Sequence, residues 1–191
     1  MNDEWHHLDA RTLRLNLFLT QGILLAAAIG GGLLFEGWEG MIRLFVLPDP
    51  AALGWTGAVV LGIVMVNIAV DRLLPAKWQD DGQINRIVFA DLSLLSMFGL
   101  CFFVGLSEEW LFRGTIQPML GLFWTSLLFT VVHVRYLRKP LLIILLFATS
   151  LLLGKLAEIS GGLIAPVMAH TLIDFLLACY LRYAVDHDER G

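Results

Sequence analysis

The chain has 191 residues, of which 58% are hydrophobic and only 16% are charged, and its mean hydropathy is +0.75. Soluble domains average about 45–50% apolar and 25% charged residues, so this composition excludes an ordinary soluble protein and indicates an integral membrane protein. The length fits a single domain, and the net charge of −4 provides no basic surface for nucleic acid.

Apolar segments long enough to cross a membrane follow one another along the chain, since a spanning helix needs about 20 residues. We place six of them at residues 15–35, 51–74, 87–118, 120–134, 140–156 and 163–183. The fourth and fifth are short and adjacent, which predicts a tight helical hairpin. The predicted fold is all-α: a polytopic membrane helix bundle of about six transmembrane helices. It forms one membrane domain (1–191), with a two-span N-terminal region (1–85) and a core (86–183).

The sequence around the spans predicts their orientation. Acidic residues precede the first arginine, Arg11, and the apolar stretch behind it is too long for a cleaved signal peptide, so we retain it as a span. With the N-terminus inside, the inner segments hold ten of the 13 Lys and Arg residues, and the outer ones hold Arg43, Arg113 and Lys155. Basic residues favour the cytoplasmic side, so both termini are predicted to be cytoplasmic in the cell membrane.

The most unusual stretch is Ser-Glu-Glu-Trp-Leu-Phe-Arg-Gly at 107–114, which continues the third apolar segment. Ionisable side chains inside a membrane span are rare and usually functional. Glu109 and Arg113 are four residues apart, so a helix places them on one face as an ion pair. Glu108 is rotated by about 100° from Glu109 and needs a partner from another segment.

Two further polar pairs lie in later spans, Phe129 with His133 and His170 with Asp174. The members of each pair are four residues apart and therefore share a helical face. Because no water is available at the middle of a span, His170 and Asp174 must face the bundle interior. Each pair alone has a structural interpretation, as packing or as a satisfied interior histidine. Their coincidence with Glu108 favours one shared site.

Depth in the bilayer determines whether these residues can meet. If the third helix ended near residue 106, Glu108 would lie at the outer surface and His133 near the inner one. If it continues to about Pro118, Glu108 lies about 13–15 Å below the outer turn, at 1.5 Å per residue. We therefore predict a long third helix, tilted or bent at Gly105. The side chains that then share one layer are Glu108, His133, His170 and Asp174.

In chain order, Glu-Glu-x-x-x-Arg, Phe-x-x-x-His and His-x-x-x-Asp resemble the motifs of the CPBP family of intramembrane endopeptidases, also called the Abi family. This family contains CAAX proteases and bacteriocin-processing proteins, and the resemblance covers about residues 92–177. It implies that Glu108 is a general base that activates water together with His133. It also implies that His170 and residue 174 stabilise the oxyanion. The implied supporting residues are Glu109, Arg113 and Phe129.

Residue 174 departs from the commonest form of the family, which has Asn. An amide can donate a hydrogen bond to an oxyanion, whereas an ionised carboxylate only accepts. Asp174 must therefore be protonated, orient His170, or bind a metal.

Two other functions stay open. The residues Glu108, His133, His170 and Asp174 suit zinc, which is held in catalytic sites by combinations such as two His and a carboxylate. The chain has no His-Glu-x-x-His pair, and we expect no cofactor unless zinc is used. A non-catalytic immunity factor, scaffold or proton-coupled carrier would also place ionisable groups in the membrane.

The expected partners are the lipid bilayer and a membrane-anchored or membrane-inserted peptide or protein. The family includes enzymes that trim prenylated C-terminal tails from the cytosolic side and bacterial members that process peptides. The predicted orientation puts the site nearer the outer face, which favours a bacterial-type substrate handled on that side.

Overall fold

The protein is all-α over residues 9–75, 84–136 and 139–188, which the computed structural model describes, with side chains described up to residue 182. This confirms the predicted fold class. The acidic N-terminal residues 1–8 and most of the polar loop at 75–86 lie outside the described residues. The helices are α1 (Ala10–Phe35), α2 (Gly37–Arg43), α3 (Pro50–Leu73), α4 (Ile84–Phe89), α5 (Leu94–Glu109), α6 (Gln117–Val132), α7 (Pro140–Ser160) and α8 (Ile164–Asp188), with a π-helical segment (Trp110–Ile116) between α5 and α6 and a short 3-10 turn (Val134–Tyr136) after it.

Within the described residues, five helical segments are long and apolar enough to cross a membrane, which identifies a membrane protein. They are α1, α3, the continuous stretch Leu94–Val132, α7 and the part of α8 from Ile164 to Arg182. The stretch Leu94–Val132 has 39 residues, about twice what a membrane crossing needs. It contains both the third and the fourth predicted spans.

The long stretch folds back at Gly121, whose backbone has φ 76 and ψ 167. A positive φ of this size favours glycine, which has no Cβ to clash. The two legs then pack together, with the rings of Phe112 and Phe129 at 4.9 Å. At 1.5 Å per residue, the leg from Leu122 to Val132 extends only about 16 Å, roughly half the hydrocarbon core. The fourth predicted span is therefore a half-length helix.

The helix carrying the glutamate pair is long, as predicted, but it is not bent at Gly105. Helix α5 continues through Gly105 to Glu109, and the irregular part is the π-helical segment that follows. Gly105 instead permits a close helix contact, because an added Cβ would lie 2.9 Å from Oγ1 of Thr171 on α8. The predicted bend at Gly105 is wrong. The glycine leaves room for α8 to pack closely against α5 and does not interrupt the helix. π-helical turns are rare and occur often at functional sites.

The third span also begins later than the predicted start near residue 87. Helix α4 precedes it, the turn after α4 contains Asp91 with φ 57, and Ser93 caps α5 by accepting a hydrogen bond from a first-turn amide at 3.1 Å. Arg182 of α8 holds this turn by donating to the carbonyl oxygens of Phe89 and Leu92 at 2.9 and 2.7 Å. A capped turn thus separates α4 from the membrane helix.

Helix α8 is the central packing element of the bundle. One apolar cluster joins it to α3 and α7, and a second joins it to α5. Because lipid is as apolar as the interior, close van der Waals packing between the helices stabilises such clusters. The clusters consist of Val60, Ile63, Leu153, Leu156, Ala165, Ala169 and Ile173, and of Met97, Cys101 and Ala178. This packing fixes the height of α8 against α5 and so sets where their polar residues meet.

Candidate active site

The adjacent glutamates at the end of α5 are both buried but have different partners. Both carboxylate oxygens of Glu109 have a protein partner. Its Oε2 accepts from Arg113 Nε at 3.0 Å, and its Oε1 lies 2.8 Å from His170 Nδ1. The predicted ion pair between Glu109 and Arg113 is therefore present, and neither side chain is exposed. The additional contact with His170 ties α5 directly to α8.

Arg113 extends this network to a third helix. Its Nη2 donates to Ser150 Oγ of α7 at 2.8 Å, and its guanidinium lies 5.4 Å from the ring centre of Phe129. The Phe129 ring is in turn 4.5 Å from the imidazole of His133. Phe129 thus lies between the guanidinium and His133, and its supporting role stays a prediction.

Glu108 has a looser environment in which its two oxygens differ. Oε1 accepts a hydrogen bond from Gln21 Nε2 at 2.8 Å. Oε2 faces two imidazoles, with His133 Nε2 at 3.9 Å and His170 Nε2 at 4.0 Å. These distances exceed those of direct hydrogen bonds. The structure therefore brings the predicted residues Glu108, His133 and His170 around one point without joining them directly.

The contacts of the two histidines determine which ring nitrogen carries a proton. His133 Nδ1 lies 2.7 Å from the carbonyl oxygen of Phe129, and His170 Nδ1 lies 2.8 Å from the carboxylate of Glu109. The carbonyl oxygen of Phe129 can only accept a hydrogen bond, and so can the carboxylate of Glu109, which is paired with Arg113. Nδ1 is therefore the donor in both histidines. Each histidine consequently presents Nε2 to Glu108.

Asp174 lies at the edge of the site. Its Oδ2 is 3.5 Å from His170 Nε2, and its side chain is 35% exposed, compared with 8% for Glu108. The predicted common helical face of His170 and Asp174 is therefore present. Asp174 and Glu109 approach the imidazole of His170 from its two nitrogens, so two carboxylates flank one ring.

Gln21 of α1 and Ser107 of α5 also belong to the site, although neither was predicted as a site residue. Gln21 is 3% exposed, and besides Glu108 its amide contacts the Ser107 hydroxyl, which donates to Gln21 Oε1. The first two spans carry no recognisable motif, so no pattern pointed to this residue. The signal was chemical: an amide inside a 26-residue apolar helix needs hydrogen-bond partners from another helix.

The donor set resembles a metal site in chemistry but not in arrangement. Imidazole nitrogens whose other nitrogen is held by a carbonyl or carboxylate are typical of zinc ligands. Across the described ranges, however, no three His, Cys, Asp or Glu side chains form a group that could hold a metal ion. Zinc binding by Glu108, His133, His170 and Asp174 stays a hypothesis that chelation can test.

Comparison with known proteins places this site in a family context. A sequence model described as type II CAAX prenyl endopeptidase Rce1-like matches residues 90–176. The uncharacterized protein YpbD of Bacillus subtilis (strain 168) is 35% identical over 161 residues, which cover 84% of this chain and 85% of that protein. No solved structure matches significantly. The family match contains every predicted site residue but not Gln21. The chain belongs to the Rce1-like family of type II CAAX prenyl endopeptidases, the CAAX-protease group that its motifs resemble.

Proposed function

We propose that the protein is a glutamate-dependent intramembrane peptidase that hydrolyses a peptide bond in a membrane-associated protein or peptide tail. Membership of the family supports a CAAX-type intramembrane protease. The observation that carries the glutamate mechanism is the position of Glu108 Oε2, 3.9 and 4.0 Å from the Nε2 atoms of His133 and His170.

The first step is activation of water between Glu108 and His133. Two polar atoms 3.9 Å apart are too far for direct contact but close enough to share one bridging water. Glu108 Oε2 takes a proton from this water while the water oxygen forms a bond to the carbonyl carbon of the substrate. His133 Nε2 orients the water, and the hydrogen bond from its Nδ1 to Phe129 keeps the ring in place.

The second step is stabilisation of the oxyanion by His170. With both nitrogens protonated, His170 donates Nε2–H toward the tetrahedral intermediate, and a fixed donor in a water-poor site is effective there. Glu109 at 2.8 Å and Asp174 at 3.5 Å balance the charge of the imidazolium. This assigns Asp174 a role in supporting His170, which does not require the donor ability of Asn.

The third step is departure of the amine. The proton held on Glu108 Oε2 passes to the amine nitrogen as the carbon–nitrogen bond breaks, which returns Glu108 to the ionised form. Glu109, Arg113 and Ser150 keep the π-helical segment fixed throughout, because Arg113 bridges Glu109 and Ser150 while Glu109 also contacts His170.

A cleavage assay tests this function in full-length protein in proteoliposomes. The probe is an internally quenched peptide ending in a farnesylated Cys-a-a-X sequence, compared with the same peptide lacking the prenyl group. Glu108→Gln should lower the rate by about 10²–10⁴-fold, the usual contribution of a general base. Glu39→Gln is the matched control, because Glu39 is in an exposed pair with Arg43. Absence of cleavage by the wild-type protein would favour a non-catalytic scaffold or carrier, and full cleavage by Glu108→Gln would show that Glu108 is not the base.

The natural substrate and its side of entry form a separate proposal. Proteomics of C-terminal fragments in cells with wild-type protein or Glu108→Gln should reveal fragments that depend on Glu108. Reporter fusions at both ends of α5 test the predicted cytoplasmic termini. If the C-terminal side of α5 reports the cytoplasm, the expectation of an outer-side substrate is wrong.

A further inference from the structure

We propose that Gln21 is a positioning residue that makes Glu108 a one-sided base, so that its proton is taken up and released only at Oε2. This inference rests on the proposed function. It concerns a residue of α1 that lies outside the matched part of the chain, residues 90–176, and it starts from the different surroundings of the two carboxylate oxygens.

A carboxylate has two chemically equivalent oxygens, and either can accept a proton. In Glu108 the equivalence is broken, because Oε1 accepts from Gln21 Nε2 at 2.8 Å while Oε2 faces the two imidazoles. In the protonated acid, the carbonyl oxygen is the better acceptor. The Gln21 hydrogen bond therefore fits Oε1 as the carbonyl oxygen and leaves the hydroxyl at Oε2.

The same hydrogen bond thus persists through the whole reaction. When Glu108 is ionised, Gln21 donates to one carboxylate oxygen. When Oε2 has taken the proton from water, Oε1 is the carbonyl and still accepts from Gln21. The proton stays on the side of His133 and His170, where the amine leaves, and no rotation of the carboxyl group is needed.

Ser107 fixes the orientation that this role requires. An amide offers a donor and an acceptor at almost the same place, so a turned Gln21 would direct its oxygen at Glu108. The Ser107 hydroxyl prevents this by donating to Gln21 Oε1. The same hydroxyl lies 2.8 and 3.0 Å from the carbonyl oxygens of Phe103 and Val104, so its one hydrogen is shared between Gln21 and the backbone of α5.

The activity test uses the farnesylated quenched peptide with Gln21→Met, which keeps the length of the side chain but removes the amide. We expect kcat to fall about 10- to 100-fold, the loss associated with one hydrogen bond to a charged group, while KM changes less than twofold. Thr20→Val is the matched control, since Thr20 is the exposed neighbour on the same helix, and it should leave both constants unchanged. A general loss of structure would instead reduce the active fraction, which active-site titration measures.

A spectroscopic test does not depend on turnover. The infrared carboxylate band that disappears in Glu108→Gln belongs to Glu108, and it should shift in Gln21→Met and remain in place in Thr20→Val. If the wild type shows no Glu108-dependent cleavage but the band shifts, the proposed function fails and the Gln21 contact stands. If cleavage depends on Glu108 but Gln21→Met matches the wild type, the inference is overturned.

A second variant covers the case in which Gln21→Met does not fold. Ser107→Ala leaves the Gln21 amide in place but free to turn, so kcat should fall about 3- to 10-fold with KM unchanged, a smaller loss than removal of the donor itself. The Glu108 band should broaden or shift. An unchanged kcat together with an unchanged band in Ser107→Ala would contradict the proposal.

Discussion

Two polar networks meet at the end of α5, and they differ although their central residues are adjacent glutamates. In the closed network, Glu109, Arg113, Ser150 and His170 Nδ1 are joined by contacts of 2.8–3.0 Å. In the open network, Glu108 is held at one oxygen by Gln21, and its other oxygen lies 3.9 and 4.0 Å from two imidazoles. Burial alone therefore does not distinguish the carboxylate proposed as the base from its neighbour. The difference is whether every acceptor position has a protein donor.

Within the closed network, we expect Arg113→Met to have the largest effect, and this effect is on stability. Removing the arginine leaves the buried charge of Glu109 uncompensated, so the free energy of unfolding should fall by about 3–5 kcal/mol. Thermal unfolding of detergent-purified protein measures this. Arg43→Met is the matched control, because Arg43 and Glu39 have the same spacing but are 78% and 85% exposed, and an exposed pair contributes about 0–1 kcal/mol. Equal losses in both variants would contradict a closed network.

A smaller stability effect is expected from Ser150→Ala. This change removes one buried hydrogen bond to the Arg113 guanidinium and should cost about 1.5–3 kcal/mol, as for bonds to charged groups. Cleavage by the folded fraction should stay within twofold of wild type. Ser96→Ala, at an exposed position of α5, should change stability by less than about 0.5 kcal/mol. A large loss of kcat in Ser150→Ala would show that the closed network takes part in the chemistry.

Asp174→Asn tests how the two networks meet at His170. If Asp174 balances the imidazolium, the neutral amide should lower kcat about tenfold, equivalent to about 1.4 kcal/mol of transition-state stabilisation, with little change in thermal stability. The cleavage assay and thermal unfolding together measure both effects. A rise in kcat would mean that residue 174 acts as an oxyanion donor and that Asp is the weaker choice.

Metal removal is expected to have the smallest effect on the rate of peptide cleavage. Protein dialysed against a chelator and checked by elemental analysis should cleave the peptide at a rate within twofold of untreated protein. Activity that is lost on chelation and restored by zinc alone would assign Glu108 and the two histidines to a metal site instead.

The parts of this architecture that sequence could predict are those carried by spacing. Four-residue separations placed Glu109 beside Arg113 and His170 beside Asp174, and the depth requirement predicted a long helix through the glutamate pair. The fold-back depends on Gly121, and nothing local in Leu-Gly-Leu distinguishes it from the other glycines of the chain. Its positive φ is a property of the folded chain that the two flanking leucines do not indicate.

Gln21 was missed for a related reason. A single amide in an apolar helix has many potential partners, and its contact with Glu108 joins residues 87 positions apart. Such a pairing follows from the tertiary arrangement of α1 against α5, which neither periodicity nor motif encodes. The late start of α5 at Leu94 was missed because a three-residue turn and a Ser93 cap interrupt an otherwise apolar sequence.

The most direct measurement compares Glu108→Gln with Glu109→Gln in parallel, recording peptide cleavage and thermal unfolding for both. We expect Glu108→Gln to unfold at nearly the wild-type temperature but to lose cleavage about 10²–10⁴-fold. Glu109→Gln should be destabilised by about 3–5 kcal/mol, because Arg113 loses its counter-charge. The reverse pattern, a stable but inactive Glu109→Gln and an active Glu108→Gln, would contradict the assignment of Glu108 as the base.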